Sequence, residues 1–236
     1  MSIEPRPRTQ AANRLIDALV VHERNAVLRV ATLTTCTAGQ ILLAPGERSG
    51  GIFFPAGSVL ALVRRLSDGS TTDVALIGHE GVAGGQLFVG ATQHPGEIIA
   101  RSSGAVLSMS TDDFRHQFDR RGDLHDAVLR FTAALISQLG HNGVCSGRHP
   151  LKQRVARWLM MLADFGTSDD FDAGILATSL AEEESAVLRA IDDLARAGAV
   201  RQRGRRVSIH DAVGLEMNAC ECAESLRQVY GTLIAA

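Results

Sequence analysis

The chain lacks the features that mark membrane proteins and secreted disulfide scaffolds. None of its apolar runs approaches the ~20 residues that a membrane-spanning helix needs, and residues 1–14 lack the apolar stretch of a signal peptide. Its four cysteines are scattered except for the last pair: Cys36, Cys145, Cys220 and Cys222. We therefore expect a cytoplasmic protein with reduced thiols, no disulfide framework and no membrane partner.

An excess of positive charge is also lacking. The 24 Lys and Arg residues are outnumbered by 26 Asp and Glu residues, which gives a net charge of −2. Domains that bind nucleic acid are commonly basic, so any contact with DNA must come from a local patch. With 45% hydrophobic and 21% charged residues, the 236-residue chain is long enough for two domains, each with its own core.

From about residue 34 to residue 110, short apolar runs alternate with Gly, Pro and Asp. Runs of this spacing predict an antiparallel β-barrel or sandwich. The dipeptide Asp68-Gly69 lies between two of the runs and predicts a hairpin turn. The predicted strands are residues 40–43, 51–54, 58–66, 72–77, 97–101 and 105–109.

A single apolar stripe follows this region. Its members are spaced four, three, four and four residues apart, which predicts one face of a helix. The stripe consists of Leu124, Val128, Phe131, Leu135 and Leu139. It could pack on the β domain or pair with a second copy of the chain. The glycines at 140, 143 and 147 indicate a hinge between two domains.

The C-terminal third has the spacing of a helix-turn-helix. Residues 149–164 predict a helix with Arg154 and Arg157 outside its buried face, and residues 175–180 and 186–194 predict the two helices of the motif. Two short strands around Gly204 predict a wing that carries four arginines suited to phosphate contacts. These are Arg201, Arg203, Arg205 and Arg206.

Several of these stretches resemble the Crp/Fnr family of transcription regulators. The matching residues are Ala44-Pro45-Gly46-Glu47, the run 51–62 through Phe53-Phe54-Pro55, Asp68-Gly69, residues 76–84, and the helix 149–164. The resemblance implies an α+β fold in three parts. Residues 1–120 would form an antiparallel β-roll similar to cyclic-nucleotide-binding domains, residues 121–147 a long dimerisation helix with the hinge, and residues 148–236 a winged helix-turn-helix domain.

The resemblance also implies a function and partners. It predicts a homodimer, paired through the apolar stripe, that binds double-stranded operator DNA, with RNA polymerase as a further partner. The second helix of the motif would enter the major groove, and its DNA-facing residues would be Ser185, Ala186 and Arg189.

The start of that second helix departs from the family pattern. Glu184 stands where the family usually has an arginine, and Glu182 and Glu183 precede it. Carboxylates here would repel phosphates, although a glutamate can accept a hydrogen bond from cytosine. Residues 148–236 carry eleven Lys and Arg against thirteen Asp and Glu. The alternative is therefore a degenerate relative that acts through protein contacts and binds DNA weakly or not at all.

The ligand signature of the family is missing as well. Members that bind cyclic nucleotides have a Gly-Glu pair and an arginine about ten residues later, whereas this chain has Gly84-Gly85 and no arginine in residues 93–97. Arg101 is predicted to be embedded in a strand. Cys36 alone cannot supply a four-thiolate iron–sulfur cluster in this half, and four histidines are haem candidates by residue type only, each expected at the surface: His22, His79, His94 and His116.

No cofactor, metal or enzymatic activity is predicted. The tail contains Cys220-Glu221-Cys222, but a Cys-x-Cys without a nearby partner pair is weak evidence for metal. We expect residues 211–236 to form a helix docked on the DNA-binding domain. The chain has no phosphate loop, no His-Glu-x-x-His and no nucleophile elbow, so an enzyme is disfavoured.

Overall fold

The computed structural model describes residues 13–46, 51–84, 96–166 and 170–234. Two antiparallel sheets form the N-terminal half and enclose a core that includes Ile52, Phe54 and Ile98. One sheet has the order β1 (Thr32–Cys36), β7 (Gly104–Ser110), β3 (Gly51–Pro55); the other has the order β2 (Ile41–Leu43), β6 (Glu97–Ala100), β4 (Leu60–Arg65), β5 (Thr71–Ile77). The predicted strands and the β-roll are confirmed.

The predicted hairpin turn joins β4 to β5. The backbone N–H of Ser70 donates to the Asp68 carboxylate at 2.9 Å, and Gly69 has a φ of +85°, which glycine adopts without steric cost. Strand β1 starts before the region predicted as strands. Four of its five residues are exposed, so it lacks the apolar alternation that identifies a strand.

Helices pack beside the sheets: α1 (Arg14–Asp17), α2 (Val21–Val30), α3 (Thr111–Phe118) and the 26-residue α4 (Asp123–Arg148). Glu23 of α2 caps the start of α4, because its carboxylate accepts from the backbone N–H of Asp123 at 3.1 Å and of Leu124 at 2.9 Å. These bonds satisfy donors that a helix leaves free at its N-terminus and place the carboxylate at the positive end of the helix dipole.

The apolar stripe of α4 mostly faces the chain's own β-roll. Leu124, Val128 and Phe131 are buried in the core of the β-roll, and a Cβ atom at Gly81 would overlap the Phe131 ring. The expectation that these three residues face a partner subunit is therefore wrong. Leu135 is half-buried and Leu139 is 40% exposed.

The helix ends later in the chain than the predicted hinge. Helix α4 continues through the glycines at 140, 143 and 147 to Arg148, and the chain leaves the helix at His149, which has extended backbone angles. Each of the three glycines lies on the exposed side of α4. Glycine lowers helix propensity by roughly 1 kcal/mol, but here the long helix tolerates all three.

The C-terminal part is a winged helix-turn-helix. Its elements are α5 (Leu151–Asp164), β8 (Phe171–Asp172), α6 (Ala173–Leu180), α7 (Glu184–Arg196), β9 (Val200–Arg203), β10 (Arg206–Ile209), α8 (Ala212–Met217) and α9 (Cys222–Ile234). The three strands form an antiparallel sheet with the order β8-β10-β9, and the wing hairpin pairs Arg203 with Arg206.

The two halves share packed surfaces. Val63, Leu76 and Ile99 of the second sheet belong to the same buried cluster as α5 and α6, and α9 lies along α4. Arg154 and Arg157 are therefore only 8% and 3% exposed, contrary to the expectation that they lie outside the buried face. Among the helices of the described segments, none is long and apolar enough to cross a membrane.

Candidate nucleic-acid interface

The turn of the helix-turn-helix is set by local backbone bonds. Asp172 caps α6 by accepting from the N–H of Gly174 at 2.9 Å. Helix α6 ends at Leu180, and Ala181 follows in the left-handed region with a φ of +53°. The N–H of Glu182 then donates to the carbonyl of Ala177 at 3.0 Å. This closure aims the first turn of α7 outward.

Helix α7 divides its residues between core and surface. Val187, Ile191 and Leu194 are buried against the rest of the domain. Ser185 and Arg189, four residues apart, are exposed, and Ala186 is half-buried. Of the three residues predicted to face DNA, two are thus exposed on the outer face of this helix.

The wing lies beside the start of α7. All four of its predicted arginines are exposed, and Arg205 at the tip contacts the Glu184 carboxylate at 2.9 Å. Arg205 also lies 3.4 Å from the Asp172 carboxylate, and Arg206 lies 3.9 Å from that of Asp170. Arg201 is at the far end of the hairpin, beside His210. The structure therefore brings the wing tip, but not Arg201, to the first turn of α7.

The three consecutive glutamates have different environments. Glu182 accepts from the buried Arg154 at 2.6 Å, and Glu184 pairs with Arg205. Glu183 is exposed at the N-cap position of α7. Two of the three carboxylates are thus paired within the chain, which weakens the repulsion of phosphates that the sequence led us to expect.

Polar contacts join the β-roll to the helix-turn-helix. The buried Asp73 of β5 accepts from Ser179 of α6 at 2.6 Å and from Arg101 Nε at 2.9 Å. Arg101, predicted to be strand-embedded, follows β6 directly and is occupied by this pairing. His79 lies 2.8 Å from the Phe165 carbonyl and is half-buried, contrary to the expected surface position.

A cavity of about 720 Å³ lies between the β-roll, α4, α5 and α9. Its lining combines the apolar Met160 and Phe165 with polar groups. Burial raises the pKa of Glu80 in this lining to about 7. Within the described segments, Glu80 Oε2 and the Nε atoms of Arg130 and Arg157 have no hydrogen-bond partner. A cavity of this size and mixed lining can hold a small molecule.

Sequence reasoning missed this cavity because its lining comes from five separate segments. It also missed a cluster of metal-ligating groups at the junction of α4 and α5. The ligand atoms of Cys145, His149, Cys220 and Cys222 all lie within 4.8 Å of one another. The available signal was the four-residue spacing of Cys145 and His149, which is the spacing of two side chains on one face of a helix. Gly85, His94 and the rest of segment 93–95 lie outside the described residues.

A two-sheet β-roll, a long central helix and a C-terminal winged helix-turn-helix together define the fold of Crp/Fnr-type regulators. No protein-family model and no curated protein sequence matches the chain. Solved structures of bacterial regulators share its fold, and three of them are described in turn. FixK2 from Bradyrhizobium japonicum has a TM-score of 0.68 at 16% identity, over 81% of this chain and 98% of that one.

The second is TTHB099 from Thermus thermophilus, a transcriptional regulator of the CRP family, with a TM-score of 0.62 at 18% identity over 79% and 96% of the two chains. The third is CLP of Xanthomonas campestris, a regulator responsive to c-di-GMP, with a TM-score of 0.60 at 12% identity over 80% and 98%. At these identities the likeness establishes the common fold.

Proposed function

We propose that the protein is a DNA-binding transcription regulator that acts as a dimer. The contact between Arg205 and Glu184 carries the proposal, because it joins the wing tip and the first turn of α7 into one exposed surface. A recognition helix can enter the major groove while wing arginines contact the flanking phosphates. TTHB099 and CLP, which share the fold, are regulators, and this supports the same function.

The dimer interface that we propose is the exposed side of α4. Its residues follow each other at spacings of four, three, four, three and four, which is the heptad pattern of a coiled-coil seam. They are Leu129, Ala133, Ile136, Gly140, Gly143 and Gly147, all exposed. The glycines would let two helices approach closely. We propose this face as the dimer interface in place of the apolar stripe, which is mostly buried. Among the stripe residues that were predicted for dimerisation, Leu139 is the most exposed.

As a dimer, the protein would present two α7 helices to a two-fold operator. Action at promoters implies a cytoplasmic location and RNA polymerase as a further partner. The cavity between the two halves is the site we favour for a signal molecule, because its lining belongs to both the β-roll and the DNA-binding domain.

Two observations favour the alternative of a degenerate relative. The exposed Glu183 and the excess of acidic residues in 148–236 disfavour binding to a polyanion. Under that alternative the native chain has no DNA site of its own, and the Glu184→Arg substitution creates affinity where none existed.

Selection of bound genomic fragments by the purified full chain, followed by fluorescence anisotropy at low and moderate salt, tests the proposal. We expect Arg189→Ala and Arg203→Ala to weaken binding by about tenfold or more, the scale of a lost base or phosphate contact. Arg29→Ala, at an exposed arginine of α2, is the matched control. No binding at low salt across the fragment pool would overturn the proposal.

A further inference from the structure

Four ligating side chains from distant parts of the chain converge where α4 ends. Cys145 lies in the last turn of α4 and His149 directly follows that helix, while Cys222 is the first residue of α9 and Cys220 lies two residues before it. The sulfur atoms of Cys145 and Cys220 are 3.5 Å apart, and the Cys222 sulfur is 3.8 Å from His149 Nδ1. The three cysteines are buried and form a cluster of their own.

These separations match a single tetrahedral ion. Zinc bonds of about 2.3 Å to sulfur and about 2.0 Å to nitrogen put neighbouring ligand atoms roughly 3.5–3.8 Å apart. We propose that Cys145, His149, Cys220 and Cys222 bind one soft divalent metal ion of the zinc class. With four protein ligands the site is closed, as in structural zinc sites, and leaves no position for a reacting molecule.

The surroundings of the histidine fit metal ligation. Glu221 lies between the two tail cysteines, and its carboxylate is 3.2 Å from His149 Nε2. A proton on Nε2 donated to this carboxylate leaves a free electron pair on Nδ1, which lies 3.8 Å from the Cys222 sulfur. Carboxylates in this position fix the orientation and raise the basicity of metal-bound histidines.

The charge of the site is also balanced. Three thiolates and one divalent ion leave a net charge of −1. Arg157 is 3% exposed, and its Nε and Nη1 atoms have no hydrogen-bond partner in the described part of the chain. The guanidinium of Arg157 interacts electrostatically with Cys145, and its positive charge offsets the remaining negative charge of the site.

The geometry disfavours two other uses of these thiols. In an iron–sulfur cluster the ligands bond to different iron atoms, which requires wider separations than four donor atoms all within 4.8 Å. A disulfide between Cys145 and Cys220 would use two of the groups and leave His149 and Cys222, with the supporting Glu221, unexplained. A single ion uses all of them.

Metal content of the full-length protein, purified under reducing conditions, is the direct test. We expect one equivalent of zinc by mass spectrometry, and cobalt substitution should give the absorption of a tetrahedral thiolate site. Cys220→Ser and Cys222→Ser should abolish stoichiometric binding. Cys36→Ser, a buried cysteine of the β-roll outside the cluster, should retain it.

A substitution outside the four proposed ligands tests zinc binding without the risk that the variant fails to fold. Glu221 has a side chain that is 78% exposed, so Glu221→Ala should fold normally. It should weaken zinc binding by about 10–100-fold, the usual effect of losing such a supporting carboxylate. Glu224→Ala, at an exposed acid in the first turn of α9, should leave zinc affinity unchanged.

Three results would overturn the inference: no zinc bound by the reduced protein, iron with cluster absorption, or a Cys145–Cys220 disulfide formed equally fast with and without added zinc. None of these measurements involves DNA. Loss of the metal site and loss of the proposed regulatory function are therefore separable outcomes.

Discussion

Glu184 of α7 and Arg205 of the wing form an ion pair. Their side chains are 36% and 58% exposed, and an ion pair so open to solvent contributes about 1 kcal/mol or less to stability. A DNA phosphate can therefore compete for Arg205 at little energetic cost. Without DNA, Arg205 neutralises the negative charge of Glu184 at this surface.

Removing the carboxylate should strengthen DNA binding. The Glu184→Gln variant removes the nearer of the two carboxylates that contact Arg205 and deletes one negative charge, so we expect about three- to tenfold tighter binding at low salt, with a steeper dependence on salt concentration. Anisotropy titrations at several salt concentrations measure both effects. Glu224→Gln on α9 is the control, and equal affinity of the Glu184→Gln variant and the native protein would contradict the expectation.

Glu80 makes stability depend on pH. Burial raises its pKa from the ordinary 4.5 to about 7, although Arg14 opposes this shift and Asp164 adds to it. The folded protein therefore keeps a proton that the unfolded chain releases. The stabilisation is complete below about pH 4.5, declines as the pH rises towards 7, and is absent above that.

Glu80→Gln should remove this dependence, because the amide oxygen can still accept from the Gly78 N–H, as the carboxylate does at 2.9 Å. Comparing pH 5 with pH 8, we expect the native protein to lose on the order of 3 kcal/mol more than the variant. Denaturant unfolding at the two pH values measures the difference. Parallel pH profiles for the two proteins would refute it.

At the scale of elements, α4 has two heptad-spaced faces. The inner one, which includes Leu124, Val128 and Phe131, packs on the β-roll, and the outer one, which includes Leu129 and Ile136, is exposed. The sequence periodicity predicts the helix correctly. It cannot decide which apolar face is covered by the same chain, because burial depends on residues such as Gly81 that lie far away in the sequence.

The outer face predicts which substitution should disrupt the proposed dimer. Ile136 is 63% exposed in the single chain, and a charge buried at a coiled-coil seam is unfavourable by several kcal/mol. Ile136→Glu should therefore give a monomer at concentrations where the native protein is dimeric, as measured by analytical ultracentrifugation. Met217→Glu, at an 83% exposed position of α8, should leave the mass unchanged. A dimeric Ile136→Glu variant would place the interface elsewhere.

Local sequence patterns predicted the helices and strands well, but they could not predict contacts between residues that are far apart in the sequence. The hairpin at Asp68-Gly69 and the wing around Gly204 follow from turn chemistry that neighbouring residues determine. The burial of Arg157 and the convergence of Cys145 with Cys220 depend on how α4, α5 and α9 pack. Spacing along the chain carries no information on such contacts until the fold is known.

At the scale of the whole molecule, Ser179 and Asp73 connect the β-roll to the first helix of the helix-turn-helix. A hydrogen bond to a buried carboxylate contributes about 1.5–3 kcal/mol, so Ser179→Ala should lower the free energy of unfolding by that amount. Denaturant unfolding provides the measurement. Ser108→Ala, whose hydroxyl makes only a long 3.4 Å bond to Thr32, should change stability by much less. Equal losses in both variants would show that the Ser179 bond is not a main contact between the halves.

The cavity of about 720 Å³ is bounded by both halves of the molecule. Any rotation of the winged helix-turn-helix domain against the β-roll must change its shape, so a bound molecule favours one relative position of the two halves. Binding linkage then works in both directions: a molecule that alters the affinity for an operator by a given factor has its own affinity altered by DNA by the same factor. An operator fragment added to the protein would thus serve as a probe for ligands of the cavity.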